Sequence, residues 1–120
     1  MNSTIPFKIE FPFQDRLEEA KRVLDKYPDR IPIICERSLK AGRECPAIDK
    51  RKYLVPRDLT IGQFLYVVRK RLNLLPEKAL FLFINGTIPA TSSLVSEVYN
   101  RHKDVDGYLY IYYGQENTFG

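Results

Sequence analysis

Residues 60–72 carry the pattern that most constrains how this chain folds. Thr60 followed by Gln63 forms a capping box, in which each side chain accepts a hydrogen bond from the other residue's backbone N–H. Behind it, apolar residues recur at helical spacing and share one face. They are Ile61, Phe64, Leu65, Val68 and Leu72. The sequence therefore predicts a helix over about 60–72, with an apolar face that must be buried against another element.

Two further helices are predicted on either side of this one. From Leu17 to Tyr27, apolar side chains recur at helical spacing with charges between them, and Pro28 ends the run. Another apolar face, with Ser92 as its N-cap, predicts a helix over about 92–102. Before residue 11 the pattern is short and is interrupted by Pro6, so only a short helical segment is expected there.

Four segments are predicted to be strands because they are rich in β-branched, aliphatic and aromatic residues. They are residues 30–37, 50–55, 80–84 and 108–113. Asn85-Gly86 follows the third of them and is a strong turn signal. The polar connection from 39 to 49 contains glycine and proline and is predicted to be a loop.

The resulting order of elements indicates an α+β fold. One four-stranded mixed sheet with the 60–72 helix across one face would bury the apolar stripe of that helix, which is a β-grasp arrangement. With 120 residues the chain is the size of one domain. We expect a helical extension over 1–27, a β-grasp core over 28–113 and a flexible tail over 114–120.

Charge and cysteine content narrow the class of protein. The net charge is +4, and most of the basic excess lies between residues 31 and 80, which suits an acidic peptide, a phosphate or an anionic membrane surface, or simply a solvated face. The longest apolar run, Ala79 to Ile84, is far too short to cross a bilayer, and no signal peptide is evident. Cys35 and Cys45 are therefore expected to be free thiols in a reducing compartment.

Catalysis and nucleic-acid binding have little support in the sequence. His102 is the only histidine, and no nucleophile, phosphate loop or metal-ligand spacing accompanies it, so neither an enzyme nor a metal or cofactor site is expected. A pI near 9.1 and several tyrosines would suit nucleic acid. However, Tyr108, Tyr110 and Tyr112 alternate with other apolar residues in one predicted strand, which is a packing pattern.

The C-terminus ends on Gly120 after a short polar tail. A glycine carboxylate has no β-carbon beside it, so it can enter a narrow active site, form a thioester and be attacked by an amine. A terminal glycine alone is a weak signal, but it becomes stronger behind a β-grasp pattern.

Four ordered segments resemble the signatures of the autophagy-related ubiquitin-like modifiers, the group that includes the GABA-receptor-associated proteins. The first is Lys26-Tyr27-Pro28-Asp29-Arg30-Ile31-Pro32. The second is Lys52-Tyr53-Leu54-Val55-Pro56 followed by Asp58-Leu59-Thr60-Ile61-Gly62-Gln63-Phe64. The third and fourth are Phe81-Leu82-Phe83-Ile84-Asn85 and Asp106-Gly107-Tyr108-Leu109-Tyr110. The likeness runs from about Phe13 to Gly120, nearly the whole chain.

This resemblance implies a ubiquitin-like core with two added N-terminal helices, together with a life cycle. A cysteine protease exposes the C-terminal glycine, E1-like and E2-like enzymes activate it, and it is joined to phosphatidylethanolamine. The protein would then be cytoplasmic until lipidated and afterwards lie on the autophagosome membrane. There it would bind cargo receptors and autophagy factors that carry an aromatic-x-x-aliphatic motif.

The resemblance also implies a peptide-binding surface along the strand at residues 50–55, where a peptide adds as a further strand. Pocket 1, for the aromatic anchor, is expected to comprise Glu19, Val23, Pro32, Ile34, Lys50, Lys52, Leu54 and Tyr108. Pocket 2, for the aliphatic anchor, is expected to comprise Tyr53, Val55, Pro56, Leu59, Phe64 and Val67. Acidic residues flanking the motif would pair with Arg30, Lys50 and Arg71.

The sequence also departs from the family pattern at several places, and it allows other interpretations. The family often has phenylalanine where Tyr108 stands, and the 39–49 loop is about two residues longer than in animal members. Nothing follows Gly120, so either the encoded protein ends there or a longer form was trimmed. Leu59 and Phe64 also suit a purely structural core. The alternatives are a ubiquitin-like peptide-binding module that is never conjugated and, less favoured, a nucleic-acid-binding protein.

Overall fold

The computed structural model describes residues 5–41 and 44–115. Its elements, in chain order, are α1 (Phe7–Glu10), α2 (Phe13–Lys26), β1 (Arg30–Arg37), β2 (Lys52–Pro56), α3 (Ile61–Leu72), β3 (Phe81–Phe83), α4 (Val95–His102) and β4 (Leu109–Gly114). The predicted α+β arrangement with two N-terminal helices is confirmed. Among the described residues, none of the helices combines the length and the apolar character needed to cross a membrane.

The four strands form one mixed sheet in the order β2-β1-β4-β3. β1 is central: it pairs antiparallel with β2, where Ile33 lies opposite Tyr53, and parallel with β4, where Cys35 lies opposite Ile111. β3 pairs antiparallel with β4. The turn predicted after β3 is present. Asn85 and Gly86 both have positive φ and lie between Ile84 and Thr87, which pair with each other in an antiparallel bridge.

The predicted α3 helix is confirmed together with its capping box. The Gln63 N–H donates to the Thr60 hydroxyl at 3.1 Å, and the Thr60 N–H donates to the Gln63 side-chain oxygen at 2.9 Å. The helix ends at Asn73, which adopts a left-handed conformation. Its buried positions are Ile61, Phe64, Val68 and Leu72, and they join the main core of the protein beneath the sheet.

The start of α4 differs from the prediction. Helix α4 begins at Val95 with Leu94 as the residue before it, so Ser92 is not the N-cap. Leu94 forms an antiparallel bridge with Thr60, and the Ile61 N–H donates to the Ser93 carbonyl at 2.9 Å. These contacts hold the segment extended against the start of α3, and Glu97 accepts the Leu94 N–H at 2.9 Å instead.

The two faces of the sheet are covered by different parts of the chain. The main core lies on the face that α3 and α4 cover. A smaller cluster on the other face lies beneath α1 and α2 and contains Phe7, Ala20, Ile34, Tyr108 and Tyr110. The N-terminal helices therefore shield a second apolar surface of the sheet.

A buried charged network fastens α2 to the turn before β4. Asp106 is fully buried, and its Oδ2 accepts hydrogen bonds from Arg16 Nη1 and the Tyr110 hydroxyl, both at 2.6 Å. Its Oδ1 accepts the Tyr108 N–H at 2.9 Å. Next to it, Gly107 has φ +96°, and a β-carbon there would lie 3.0 Å from the Ala20 β-carbon. The turn is therefore fixed by both hydrogen bonding and close packing.

The two predicted free thiols are confirmed. Cys35 and Cys45 are unpaired and buried in the main core. Burial raises the pKa of both thiols, so both are held in the protonated form.

Candidate functional site

β2 forms one edge of the sheet, with no further strand beside it among residues 5–41 and 44–115. The Cys35 N–H donates to the Arg51 carbonyl at 2.8 Å. In an antiparallel ladder, alternate residues then direct their backbone groups to the partner strand, here Arg51, Tyr53 and Val55. Lys52 and Leu54 direct theirs away from the sheet. The backbone groups of these two residues are therefore the ones that an added strand would meet, although the Leu54 carbonyl already accepts a hydrogen bond from Arg30.

The same alternation sends side chains to opposite faces of the edge. Lys52 and Leu54 lie on the α2 face, where they border a cavity with residues of that helix. Tyr53 and Val55 lie on the opposite face and belong to the main core beneath α3. One short strand thus separates two apolar environments, and a strand added beside it would project alternate side chains towards each of them.

The residues predicted for pocket 1 largely meet at one cavity of about 370 Å³ between α2 and β2. It is lined by Glu19, Arg22, Val23, Pro32, Lys50, Lys52, Tyr53, Leu54 and Tyr108. Ile34 is not among them, because its side chain is fully buried in the cluster beneath α1 and α2. Arg22 was missed, although its position one helical turn after Glu19 was a usable signal. Tyr53 also borders this cavity, although it was predicted for pocket 2 only and belongs to the main core.

Three polar side chains meet inside this cavity. Lys52 Nζ donates to both carboxylate oxygens of Glu19, at 3.0 and 3.1 Å. The Tyr108 hydroxyl also donates to Glu19 Oε1. Burial alone would raise the pKa of the Glu19 carboxyl, but the hydrogen bonds from Tyr108 and Lys52 outweigh it and hold this pKa below its ordinary value. Glu19 is therefore ionised and accepts hydrogen bonds from both the Lys52 ammonium and the buried Tyr108 hydroxyl.

The residues predicted for pocket 2 lie at the junction of β2 and α3. Tyr53, Val55 and Phe64 are buried in the main core, and the Tyr53 and Phe64 rings meet edge to face at 5.4 Å. Leu59 and Val67 pack against this core and are partly exposed, while Pro56 is exposed at the end of β2. Phe64 has no exposed surface, so the accessible part of this junction is formed by Leu59, Val67 and Pro56.

The Tyr53 hydroxyl, within this junction, is unusual in its surroundings. Its hydroxyl is buried and has no hydrogen-bond partner in the described part of the chain. Burial raises the pKa of the hydroxyl, which therefore stays protonated. An unpaired buried hydroxyl is destabilising relative to a paired one.

The cations predicted to meet acidic flanking residues are already partly engaged. Arg30 Nη1 donates at 3.3 Å to the outward carbonyl of Leu54. Arg71 forms a two-pronged ion pair with Asp49, with both N–O distances 3.0 Å. Lys50 lies over the Tyr53 ring, 5.1 Å from its centroid. An acidic partner would therefore compete with Asp49 for Arg71, whereas Lys50 makes no ion pair at 4.0 Å or less among the residues described, although, after the hydrogen bond from Arg71, its charge helps to lower the pKa of the Asp49 carboxyl.

The predicted conjugation residue, Gly120, lies outside the described residues, as does most of the predicted tail. The last described residue is Gln115, whose N–H donates to the Ala41 carbonyl at 3.3 Å. β4 itself extends through Gly114, so the strand leads directly into the C-terminal segment.

Among the described residues, histidine, cysteine, aspartate and glutamate side chains do not gather in any group able to hold a metal ion. His102 Nδ1 lies 3.0 Å from the Asn85 amide nitrogen at the surface.

Comparison with known proteins places these features in a family context. Residues 15–120 match the family described as "Autophagy protein Atg8 ubiquitin like". Autophagy-related protein 8 of Candida glabrata is 57% identical over 114 residues, which covers 95% of each chain. That of Saccharomyces cerevisiae is 56% identical over 120 residues, covering 100% of this chain and 99% of the relative. The crystal structure of Trypanosoma brucei ATG8 superposes with a TM-score of 0.86 at 41% identity, covering 98% of this chain and 100% of that chain.

Proposed function

Because this chain belongs to the Atg8 family of ubiquitin-like autophagy proteins, we propose that it is a lipid-conjugated modifier and peptide-binding adaptor. Its Gly120 carboxyl is joined to phosphatidylethanolamine on autophagosomal membranes, and its β2 edge binds aromatic-x-x-aliphatic motifs. E1-like and E2-like enzymes carry out the conjugation, and a cysteine protease processes or releases the C-terminus. The unconjugated protein is cytoplasmic.

The observation that carries the adaptor proposal is the edge strand with an apolar environment on each face. An added peptide strand would bond to the outward backbone groups of Lys52 and Leu54. Its alternate side chains would then reach the cavity between α2 and β2 on one face and the Tyr53–Phe64 junction on the other. Because side chains alternate along a strand, two anchors separated by two residues point to opposite faces, so each would reach one of these two environments.

Calorimetric titration with an acidic peptide carrying an aromatic-x-x-aliphatic core tests the adaptor proposal. We expect micromolar affinity, about −8 kcal/mol, and loss of detectable binding when both anchors are alanine. Leu54→Ala should weaken binding strongly, whereas Leu75→Ala, which trims an exposed leucine outside the groove, should not. Equal binding of the parent and double-alanine peptides would refute the proposed groove.

Salt dependence separates the charged contribution from the apolar one. Lys52→Ala should weaken the titrated binding only modestly and flatten its dependence on salt, because a solvated ion pair contributes little. Calorimetry at two salt concentrations measures both effects. A loss as large as that of the double-alanine peptide would mean that charge, and not the apolar anchors, dominates recognition.

The conjugation proposal rests on the family, whose match includes Gly120, and Gly120→Ala tests it. With cognate E1-like and E2-like enzymes and liposomes containing phosphatidylethanolamine, the variant should be lipidated far more slowly than the parent, because its terminal residue carries a β-carbon. Its melting temperature should not change. Full lipidation of the variant would contradict the proposed role of Gly120. Peptide binding by a parent protein that is never lipidated would favour a non-conjugated binding module.

A further inference from the structure

We propose that Tyr108 sets which aromatic anchors pocket 1 accepts, because it holds the Glu19 carboxylate inside the cavity as a hydrogen-bond acceptor. On this basis the pocket favours rings that carry an N–H or O–H donor, an indole or a phenol, over a bare phenyl ring. The inference rests on the proposed peptide-binding function and deepens it by naming the chemistry of the anchor.

The first step concerns the contacts inside the cavity. Glu19, Lys52 and Tyr108 all line it, and they come from α2, from β2 and from the residue preceding β4. The Tyr108 hydroxyl and the Lys52 ammonium both donate to Glu19. An aromatic side chain that contacts Glu19 from within the cavity would therefore compete with these two donors for the carboxylate.

The second step is that the two donors are unequal in mobility. Tyr108 is only 3% exposed, its N–H donates to Asp106, and its ring packs edge-on against Phe7 at 5.6 Å. The Lys52 side chain is 53% exposed and has a long flexible stem. Lys52 is therefore the donor that leaves when a ring enters, and Tyr108 keeps Glu19 in place.

The third step concerns the acceptor that remains. A carboxylate has about four acceptor positions, and Tyr108 fills only one of them. A ring that displaces Lys52 and water from the cavity leaves the inward-facing acceptor positions of Glu19 unpaired, which is costly unless the ring itself supplies a donor. A ring with an N–H or O–H supplies that donor. A phenyl ring does not, and sites built to satisfy a hydrogen bond discriminate against ligands that lack it.

Phenylalanine at position 108 would leave Glu19 without this fixed donor. Glu19 is partly exposed on α2, so its carboxylate would then turn outward to water when a ring entered. The pocket would then have no acceptor directed into the cavity, and its affinity would be similar for rings with and without an N–H or O–H donor. The hydroxyl of Tyr108 is thus the feature that allows pocket 1 to distinguish an anchor ring with an N–H or O–H from one without.

The test uses two peptides that are identical except at the anchor, which is tryptophan in one and 3-benzothienylalanine in the other. The two rings have nearly the same shape, but the second has sulfur in place of N–H. We expect the parent protein to bind the tryptophan peptide about tenfold more tightly than its analogue, and this ratio to fall to about threefold or less in Tyr108→Phe.

Two further variants separate this role from general stability. Glu19→Gln should lower the ratio as well, because a neutral amide is a weaker acceptor than a carboxylate. Tyr112→Phe makes the same chemical change on β4, away from the cavity, and should leave the ratio as in the parent. Because the readout is a ratio between two peptides, a uniform loss of affinity from altered folding does not change it.

The outcomes distinguish the two proposals. An unchanged ratio in Tyr108→Phe, with both peptides still binding, would overturn the role of Tyr108 and leave the peptide groove intact. A parent protein that binds neither peptide would overturn the adaptor function and this inference with it. A ratio that falls in both Tyr108→Phe and Glu19→Gln, but not in Tyr112→Phe, supports the inference.

Discussion

Replacing Asp106 with alanine should destabilise this protein more than removing any exposed ion pair. Asp106 is fully buried and accepts hydrogen bonds from the Arg16 guanidinium, the Tyr110 hydroxyl and the Tyr108 N–H. Arg16 is itself 8% exposed, so the change leaves a nearly buried cation without its carboxylate. Removing one partner of such a pair typically costs about 3–5 kcal/mol.

For a domain of this size, each kcal/mol lowers the melting temperature by about 4 °C, so Asp106→Ala should melt about 12–20 °C below the parent protein. Differential scanning calorimetry at neutral pH measures the change. The matched control is Lys8→Met, because Lys8 makes an ion pair with Asp104 at 2.5 Å but its side chain is 44% exposed. That control should cost less than about 1 kcal/mol.

A second comparison identifies the cause of the loss. The double variant Arg16→Met with Asp106→Leu removes both charges and should recover a substantial part of the lost stability, because the buried cation is no longer unpaired. If Asp106→Ala melts within about 4 °C of the parent protein, the network contributes no more than a surface pair, and the reasoning is wrong.

Three further predictions concern single positions. Gly107→Ala should destabilise the protein by about 1–3 kcal/mol in a urea titration, since φ is +96° and the new β-carbon meets α2 at 3.0 Å; an unchanged midpoint would contradict this. Tyr53→Phe removes an unpaired buried hydroxyl and should leave the melting temperature unchanged or higher; a clear fall would reveal a partner for that hydroxyl. Cys35 and Cys45 should resist a thiol reagent in the folded protein and react in denaturant, because burial raises the pKa of both; rapid labelling of the native protein would show that the core opens.

Elements fixed by neighbouring residues were the ones that sequence reasoning located best. The capping box at the start of α3 needs only Thr60 and Gln63, and both of its hydrogen bonds are present. β1 was predicted with the bounds that it has. The start of α4 was misplaced, because the bridge between Thr60 and Leu94 that sets it joins segments distant in sequence.

The candidate site likewise has parts that could be predicted from the sequence and parts that could not. Resemblance to the family named most of the residues that line the cavity between α2 and β2, but it missed Arg22 and included Ile34, which is buried in the neighbouring apolar cluster. The engagement of Glu19 by Tyr108 joins residues 89 positions apart, and the buried pair of Arg16 and Asp106 joins residues 90 apart. No local pattern reveals such pairs, because each residue alone is compatible with a solvated surface position.

The central position of β1 also determines when this chain is able to fold. β1 pairs in parallel with β4, so residues near the start of the chain await partners between Leu109 and Tyr113. Contacts between such distant segments slow folding, because a long loop must close before the pairing stabilises it. During synthesis the middle strand of the sheet therefore lacks one neighbour until β4 has been made. A complete sheet is thus a sign that the chain has been made at least as far as β4.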